Sequence, residues 1–463
     1  MKRIVVHIPL ISLALGLFIA PHSQAQPTLL AIGNLDQSPA GSFADLSGLT
    51  DKLENGVPAN LLGGIGSGLA YASGNTFLAV PDRGPNAIPY NPAIDNTTSY
   101  ITRFHTVTMD LVPNTTGGGL PFTLTPQLRA TTLLWSLTPL VYSSGSGLGI
   151  GSGVPPINNF ILHFFTGRSD NYAPNRDSSN PNNARFDPEG IRLSNDGWSV
   201  FITDEYGPYV YQFDRLTGLR IRTFHLPAAF YVANPRPVET DEIAANITGR
   251  TTNKGMEGLA ITPDGRTLVG IMQAAMLQDA NAGADKLLRI VTIDIASGLT
   301  HQYAYLLTTG KGASDILALN DHEFLVDERD GKGRGDGSKA KVKQLFKIDL
   351  AGAVDISAMD ATTAATHAVA KTLFFDIVAA LTANGIAADD IPAKIEGVAF
   401  GPDVKQGDAT LHTLWIASDN DFLDTIADAN GNPIPNPNQI FVFGVTEADL
   451  AGSQFVPQHF RCF

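Results

Sequence analysis

The sequence predicts an all-β chain closed into a β-propeller. Glycine (45) and proline (29) are abundant, while charged residues make up only 16 % of the chain. The apolar residues fall in short runs bounded by turn residues, the pattern of many brief strands. One hairpin unit also recurs along the chain, and a recurring unit fixes an architecture better than any single strand does.

The expected strands include Thr76–Val80, Ser199–Thr203, Tyr209–Asp214, Thr267–Met272, Leu287–Ile295, Glu323–Val326, Gln344–Asp349, Leu414–Ala417 and Gln439–Val445. The repeat is intact where Glu189-Gly190 precedes Asn195-Asp196-Gly197, Glu257-Gly258 precedes Pro263-Asp264-Gly265, and Glu396-Gly397 precedes Gly401-Pro402-Asp403. Two degenerate copies, around Gly68 and Ile316, lack the glutamate. Each copy reads as a strand, a tight turn and a second strand ending in an acidic residue. Further strands such as Tyr211–Asp214 and Val291–Asp294 follow, completing a blade. The long gap between Gly68 and Gly190 has room for an extra blade around Arg103 to Leu137, so six blades are expected, with seven as the alternative.

Residues 1–25 read as a secretory signal peptide. Lys2 and Arg3 form its basic start, Ile8 to Ala20 its apolar core, and Ser23-Gln24-Ala25 its cleavage site. The expected product, residues 26–463, is one exported propeller domain, periplasmic or extracellular. No later apolar run reaches the roughly 18 residues needed to span a bilayer. A glycine-serine stretch, 143–153, reads as a flexible loop, and an Ala-rich segment at about 357–385 as an inserted helix.

The net charge, −14 over the whole chain, becomes −16 once Lys2 and Arg3 are removed. Such a field disfavours nucleic acid and anionic membranes but gathers cations. Cys462 is the only cysteine, so no intramolecular disulfide forms.

Equivalent places in three blades put Glu189, Glu257 and Glu396 near one another on the central face. Crowded carboxylates repel unless a cation neutralises them, and hard oxygen donors suit Ca²⁺. The ends of the second strands add Asp82, Asp204, Glu205, Asp327, Glu328 and Asp419. Basic neighbours Arg83, Arg185, Lys254, Arg329 and Lys394 make the set suitable for a metal-bridged phosphate site. A structural charge network has the same composition. Competing motifs are absent. Neither Ser67 nor Ser152 lies in Gly-x-Ser-x-Gly, no His-Glu-x-x-His occurs, and Asp428–Asn432 misses the EF-hand register.

Asp82-Arg-Gly-Pro-Asn86, Phe186-Asp-Pro-Glu-Gly-Ile191, Asp204-Glu-Tyr-Gly-Pro-Tyr209, Asn253-Lys-Gly-Met-Glu-Gly-Leu-Ala260, Glu328-Arg-Asp-Gly-Lys-Gly333 and Lys394-Ile-Glu-Gly-Val398 together resemble the phytase-like family called "esterase-like activity of phytase". The resemblance runs from about residue 60 to 445. It implies a propeller and, by analogy, a calcium-dependent phosphoesterase acting on a small-molecule ester. Glu189, Glu257, Glu396 and Asp204 would then be catalytic, with Arg83, Arg185, Lys254, Arg329 and Lys394 binding substrate. The metal ligands would come from Asp82, Glu189, Glu205, Glu257, Asp327, Glu328, Glu396 and Asp419. A metal-dependent carboxyl-esterase or lactonase of gluconolactonase type, and a non-enzymatic binding propeller with a structural ion, stay open beside it.

Overall fold

Each repeated hairpin forms the inner half of a four-stranded antiparallel sheet in a computed structural model that describes residues 26–143, 150–308, 310–428 and 431–460. The expected signal peptide, most of the glycine-serine loop and Cys462 lie outside the described residues. Blade 1 contains Gly68–Ser73, Thr76–Val80, Arg103–Pro113 and Phe122–Leu133, from the axis outward. Blade 2 contains Pro188–Leu193, Ser199–Asp204, Val210–Asp214 and Arg220–Phe224. Blade 3 follows with Met256–Ile261, Thr267–Met272, Leu287–Asp294 and Thr300–Leu306. Blade 4 is Gly312–Ala318, Glu323–Arg329, Lys343–Asp349 and Lys371–Asp376. In blade 5, Lys394–Phe400, Ala409–Asp419 and Asn438–Val445 take Thr28–Leu35 as their outermost strand. The N-terminal segment thereby hydrogen-bonds to the last sheet and holds the ring shut.

Among the described residues there are five such blades, not the expected six or seven. The residues from Arg103 to Leu133, expected to start an extra blade, are instead two long outer strands of blade 1, paired from Arg103↔Leu133 to Pro113↔Phe122. Five apolar clusters fill the five blade interfaces. Phe77 of blade 1 packs on Trp415 of blade 5 with ring centroids 4.6 Å apart, so the first and last blades share a core like any other pair.

The repeated glycine has a steric cause. A Cβ on Gly68 would lie 2.2 Å from the Glu189 carbonyl oxygen, on Gly190 2.8 Å from Leu259, on Gly258 2.6 Å from Asp315, and on Gly397 2.9 Å from Leu69. Inner strands approach closely here around the axis, and only glycine leaves room. Strand register corrects the sequence alignment at the fourth blade. Asp315, not Ile316, stands opposite Asp327 as Gly68 stands opposite Val80 and Gly397 opposite Ala417.

Asp315 fills the channel. Both of its oxygens lie 3.1 Å from Arg192 Nη2, and they accept from the Leu259 and Val398 amides. Arg192 also donates to the carbonyls of Leu69, Ile316 and Val398. The C-terminal segment then crosses that end: Val456 N donates to Leu319, His459 N to Pro263, and Gln458 to Leu193.

The expected helix at about 357–385 is instead a short helix, Ala361–Thr366, the outer strand Lys371–Asp376 and a second helix, Ile377–Ala383. Pairing with Lys343–Asp349 takes Leu373 and Phe375 into the sheet, where Phe375 packs on Phe443 at 4.8 Å. Asp376 then caps the second helix by accepting from Ala379 N.

Candidate functional site

At the other end of the channel two positions of each hairpin face the axis. The residue before the repeated glycine is Ser67, Glu189, Glu257, Ser314 and Glu396 around the ring. The residue two beyond the glycine's cross-strand partner is Asp82, Glu205, Gln273, Arg329 and Asp419. Strand alternation makes the second set specific, because a one-residue step turns a side chain to the opposite face. Sequence reasoning placed some acids one step off.

Asp204 is one of these. Its carboxylate accepts from the backbone amides of Asp187 (3.0 Å), Tyr206 (3.0 Å) and Gly207 (2.9 Å), so it shapes the loop after its strand. Glu328 likewise turns outward, to Tyr305 Oη at 2.6 Å and to Lys371. Asp327 accepts from Ser314 Oγ at 3.1 Å through Oδ2, while its Oδ1 is buried without a hydrogen-bond partner among the described residues. None of the three belongs to the carboxylate groups that converge at the axis.

Two carboxylate triads converge and share Glu189. Asp82, Asp187 and Glu189 each present one oxygen within 4.8 Å of the others, as do Glu189, Glu205 and Glu257. All five are buried. Burial first, then the charges of Glu257, Asp187 and Glu205, push the Glu189 carboxyl well above its ordinary range. Burial, Glu205 and Glu396 do the same to Glu257, while Arg329 opposes them. Burial, with Asp419 next, raises Asp82. Glu205 is pushed up to about 7 by burial and then by Asp187. Among the described residues, Glu205 Oε1 and Glu257 Oε2 are buried without a hydrogen-bond partner. Buried oxygens of this kind are costly unless a proton or cation takes them up, and this donor set, all carboxylate oxygen, fits a hard divalent ion such as Ca²⁺.

Cations stand at the edges. Arg83 Nη1 is 2.6 Å from Asp187 and also pairs with Asn253, while Arg83 N donates to Asp187 at 3.0 Å. Arg329 pairs with Glu396 and lies 3.8 Å from Glu257, whose Oε1 also accepts from Gln273 at 2.6 Å. Lys394 pairs with Asp419 at 2.9 Å and with Asp421. Glu396 and Asp419 are thus held by fixed cations at the margin of the triads. Arg185 is further off, with its guanidinium over the Tyr172 and Tyr206 rings and 3.4 Å from Glu242. Lys254 is exposed and lines a cavity of about 220 Å³ with Lys311, Arg329 and Gln273.

Asp187, Lys311 and Gln273 escaped sequence reasoning. Asp187 precedes Glu189 by two residues, the spacing that places side chains on one side of an extended chain. Lys311 precedes Ser314 by three residues, as Lys254 precedes Glu257, so the repeat register held that signal.

The family called "Phytase-like: Esterase-like activity of phytase" matches residues 60–422, most of the chain and both triads. The chain belongs to this phytase-like family. An "Uncharacterized secreted protein" of Arthroderma benhamiae is 35 % identical to this phytase-like chain over 141 residues, 27 % of each protein. The matched part thus spans about a quarter of that relative's length. Among solved structures, the periplasmic gluconolactonase of Pseudomonas aeruginosa aligns over 89 % of this chain and 99 % of its own, with TM-score 0.32 and 13 % identity. The PQQ-bound aldose sugar dehydrogenase of Streptomyces coelicolor aligns over 92 % and 96 %, with TM-score 0.33 and 11 % identity. At these TM-scores neither likeness adds weight, and the propeller assignment rests on the sheets themselves. No helix of the described residues is long and apolar enough to cross a membrane.

Proposed function

We propose that this protein is an exported, calcium-dependent hydrolase of phosphate esters that works at the upper face of the propeller. The observation that supports this most is the pair of buried triads sharing Glu189, with the unpaired oxygens of Glu205 and Glu257 and with Arg83 and Arg329 at either edge. Asp82, Asp187, Glu189, Glu205 and Glu257 would hold the ions. When bound, calcium supplies Lewis-acid polarisation of a phosphoryl oxygen and a more acidic water. The chain's own contribution is position and charge. Lys254, Lys311 and Arg329 line a pocket with no carboxylate in its wall, which suits the phosphoryl oxygens. Gln273 fixes Glu257, and Arg83 fixes Asp187 through both its backbone amide and its guanidinium. The Arg192–Asp315 pair and the C-terminal segment occupy the far end, which leaves this face to the substrate. Export follows from the N-terminal leader, with cleavage near Ala25, and agrees with the description of the fungal relative as secreted.

Assays with a phosphate monoester, a carboxyl ester and a lactone, each with and without chelator, test this reading. Turnover of the phosphate ester that depends on calcium and is lost in Glu189→Gln is the expected result. Turnover of the lactone or carboxyl ester alone would replace it with the esterase reading. Calcium stabilisation with no turnover of any ester would leave a binding propeller.

A further inference from the structure

The chain as a whole repels anions, with 45 acidic against 31 basic residues, and the triads put five carboxylates at the face where a phosphate ester would enter. One loop reverses that sign. Residues 330–342 join Glu323–Arg329 to Lys343–Asp349 across the upper end of blade 4. From 330 to 343 the chain holds five basic residues, Lys332, Arg334, Lys339, Lys341 and Lys343, against two acids, Asp330 and Asp336. Gly331 also forms part of the wall of the pocket of about 220 Å³ that Lys254, Lys311 and Arg329 line, so the charge of the loop borders that pocket.

The loop is fastened in place. Asp330 N donates to the Val342 carbonyl at 3.0 Å, and Lys343 Nζ closes the base on the Asp330 carboxylate at 2.7 Å and the Lys332 carbonyl at 3.1 Å. Further out, Arg334 N donates to Ile391, Ala393 N donates back to Arg334, and Arg334 Nη2 reaches Gln439 at 3.0 Å. Gly333, at φ +137°, lies so close to this neighbouring stretch that a Cβ would be 2.3 Å from the Ile391 carbonyl oxygen. Both acids of the loop are engaged within it, Asp330 by Lys343 and Asp336 by Gly333 N and Ser338. On the neighbouring stretch Asp389 and Asp390 are exposed, with Asp390 near Arg334 and Asp389 beyond the contact of Ala340 with Ala388. Lys332 and Lys341 stand at the opposite end, next to Gly331 and Val342. Among the described residues neither has an ion-pair partner within 4 Å, and the same holds for Lys254 and Lys311.

We propose that this loop is an electrostatic guide, in which Lys332 and Lys341 draw a doubly charged anion onto the upper face and towards Lys254, Lys311 and Arg329. This deepens the function proposed above and rests on it, by naming the residues that favour an anionic ester over a neutral one. The guide acts through its field and not by contact, so its effect follows ionic strength. Without it an anion would meet a chain of its own sign.

Ligand-observed NMR titration of phenyl phosphate into the calcium-loaded full chain tests this at about 10 mM and about 1 M sodium chloride, where the Debye length is about 30 Å and about 3 Å. The double variant Lys332→Gln, Lys341→Gln binds about fivefold more weakly than wild type at low salt and within about 1.5-fold of it at high salt. The control removes the same charge at the lower end, with Arg266→Gln in the turn before Thr267–Met272 and Lys405→Gln in the turn before Ala409–Asp419. It weakens binding less than about twofold at low salt. Equal weakening by the two pairs overturns the proposal, because net charge alone would then matter. A loss of the same size at both salt concentrations also overturns it, because the lysines would then be contacts. Turnover separates this proposal from the function it rests on. Calcium-dependent hydrolysis of phenyl phosphate with no difference between the two pairs removes the guide and keeps the hydrolase. Binding with the expected salt pattern but no hydrolysis removes the hydrolase and keeps the guide, and no binding by wild type removes both.

Discussion

At the lower end of the channel Asp315 meets Arg192 and two backbone amides, whereas at the upper end Glu189 meets Glu205, Glu257, Asp187 and Asp82. Both ends are made from the same five hairpins, and in both the acids are buried. The difference is compensation. Asp315 has a cation in contact and amide donors on both oxygens, so its burial is offset in large part from within the chain. The upper acids share Arg83 and Arg329 at their edges and keep unpaired oxygens between them. An acid compensated by its own chain needs nothing further, whereas converging carboxylates with unpaired oxygens could hold a metal ion.

The largest effect should come from breaking the balanced end. Asp315→Ala leaves the Arg192 guanidinium buried without its partner, and such a loss costs about 3–5 kcal/mol. Chemical denaturation measures it, and calcium affinity in the surviving folded protein should stay near the wild-type value. A cost no larger than that of a surface substitution would mean that Asp315 is not what plugs the channel.

Next in size is the gain from supplying what the upper end lacks. Calcium at about a hundredfold excess over its Kd should stabilise the protein by about 2.7 kcal/mol. Glu189→Gln should abolish most of that gain, since both triads use Glu189. Glu396→Gln should abolish little, because Glu396 is committed to Arg329. Thermal melts with and without calcium separate the two variants, and equal behaviour would dissolve the distinction between triads and margin.

The pH response sharpens the same contrast. Burial and Asp187 raise Glu205 from 4.5 to about 7 in the folded chain, and burial raises Asp419 from 3.8 to about 6. The unfolded chain therefore releases these protons first as pH rises. Stability of the metal-free protein should fall as pH rises from about 4 through about 7. Saturating calcium should remove the fall. A metal-free melting temperature that rises across this interval would show that the acids are ionised and already compensated.

How much of this could be read beforehand follows from the same physics. Glu-Gly was legible because close approach of inner strands demands glycine and the repeat keeps its neighbour in place. The number of blades was not, because Arg103–Pro113 and Phe122–Leu133 lengthen one blade instead of making two. Thr28–Leu35 has no hairpin partner nearby in sequence, so its role in closing blade 5 could not be seen. The central acids were found as a group, yet Asp204 and Glu328 were included because which face a strand residue takes depends on register. Asp187 was missed although it stood two residues from Glu189.

The smallest expected effect tests whether the two ends are independent. The C-terminal segment lies over the lower end, where Phe455 packs on Phe400 at 4.3 Å and on His412 at 4.8 Å. Phe455 is only partly buried, so Phe455→Ala should cost about 1–2 kcal/mol, less than the 3–5 of a full core phenylalanine. The Arg192–Asp315 pair stands between this segment and the triads and takes its hydrogen bonds from the inner strands of several blades. A change confined to the strap should therefore not reach Glu189. Isothermal titration should return the wild-type calcium affinity for Phe455→Ala even though its melting temperature is lower. If the affinity falls with stability, the lower end sets the geometry of the upper one, and compensation within the fold and compensation by a ligand are parts of a single balance.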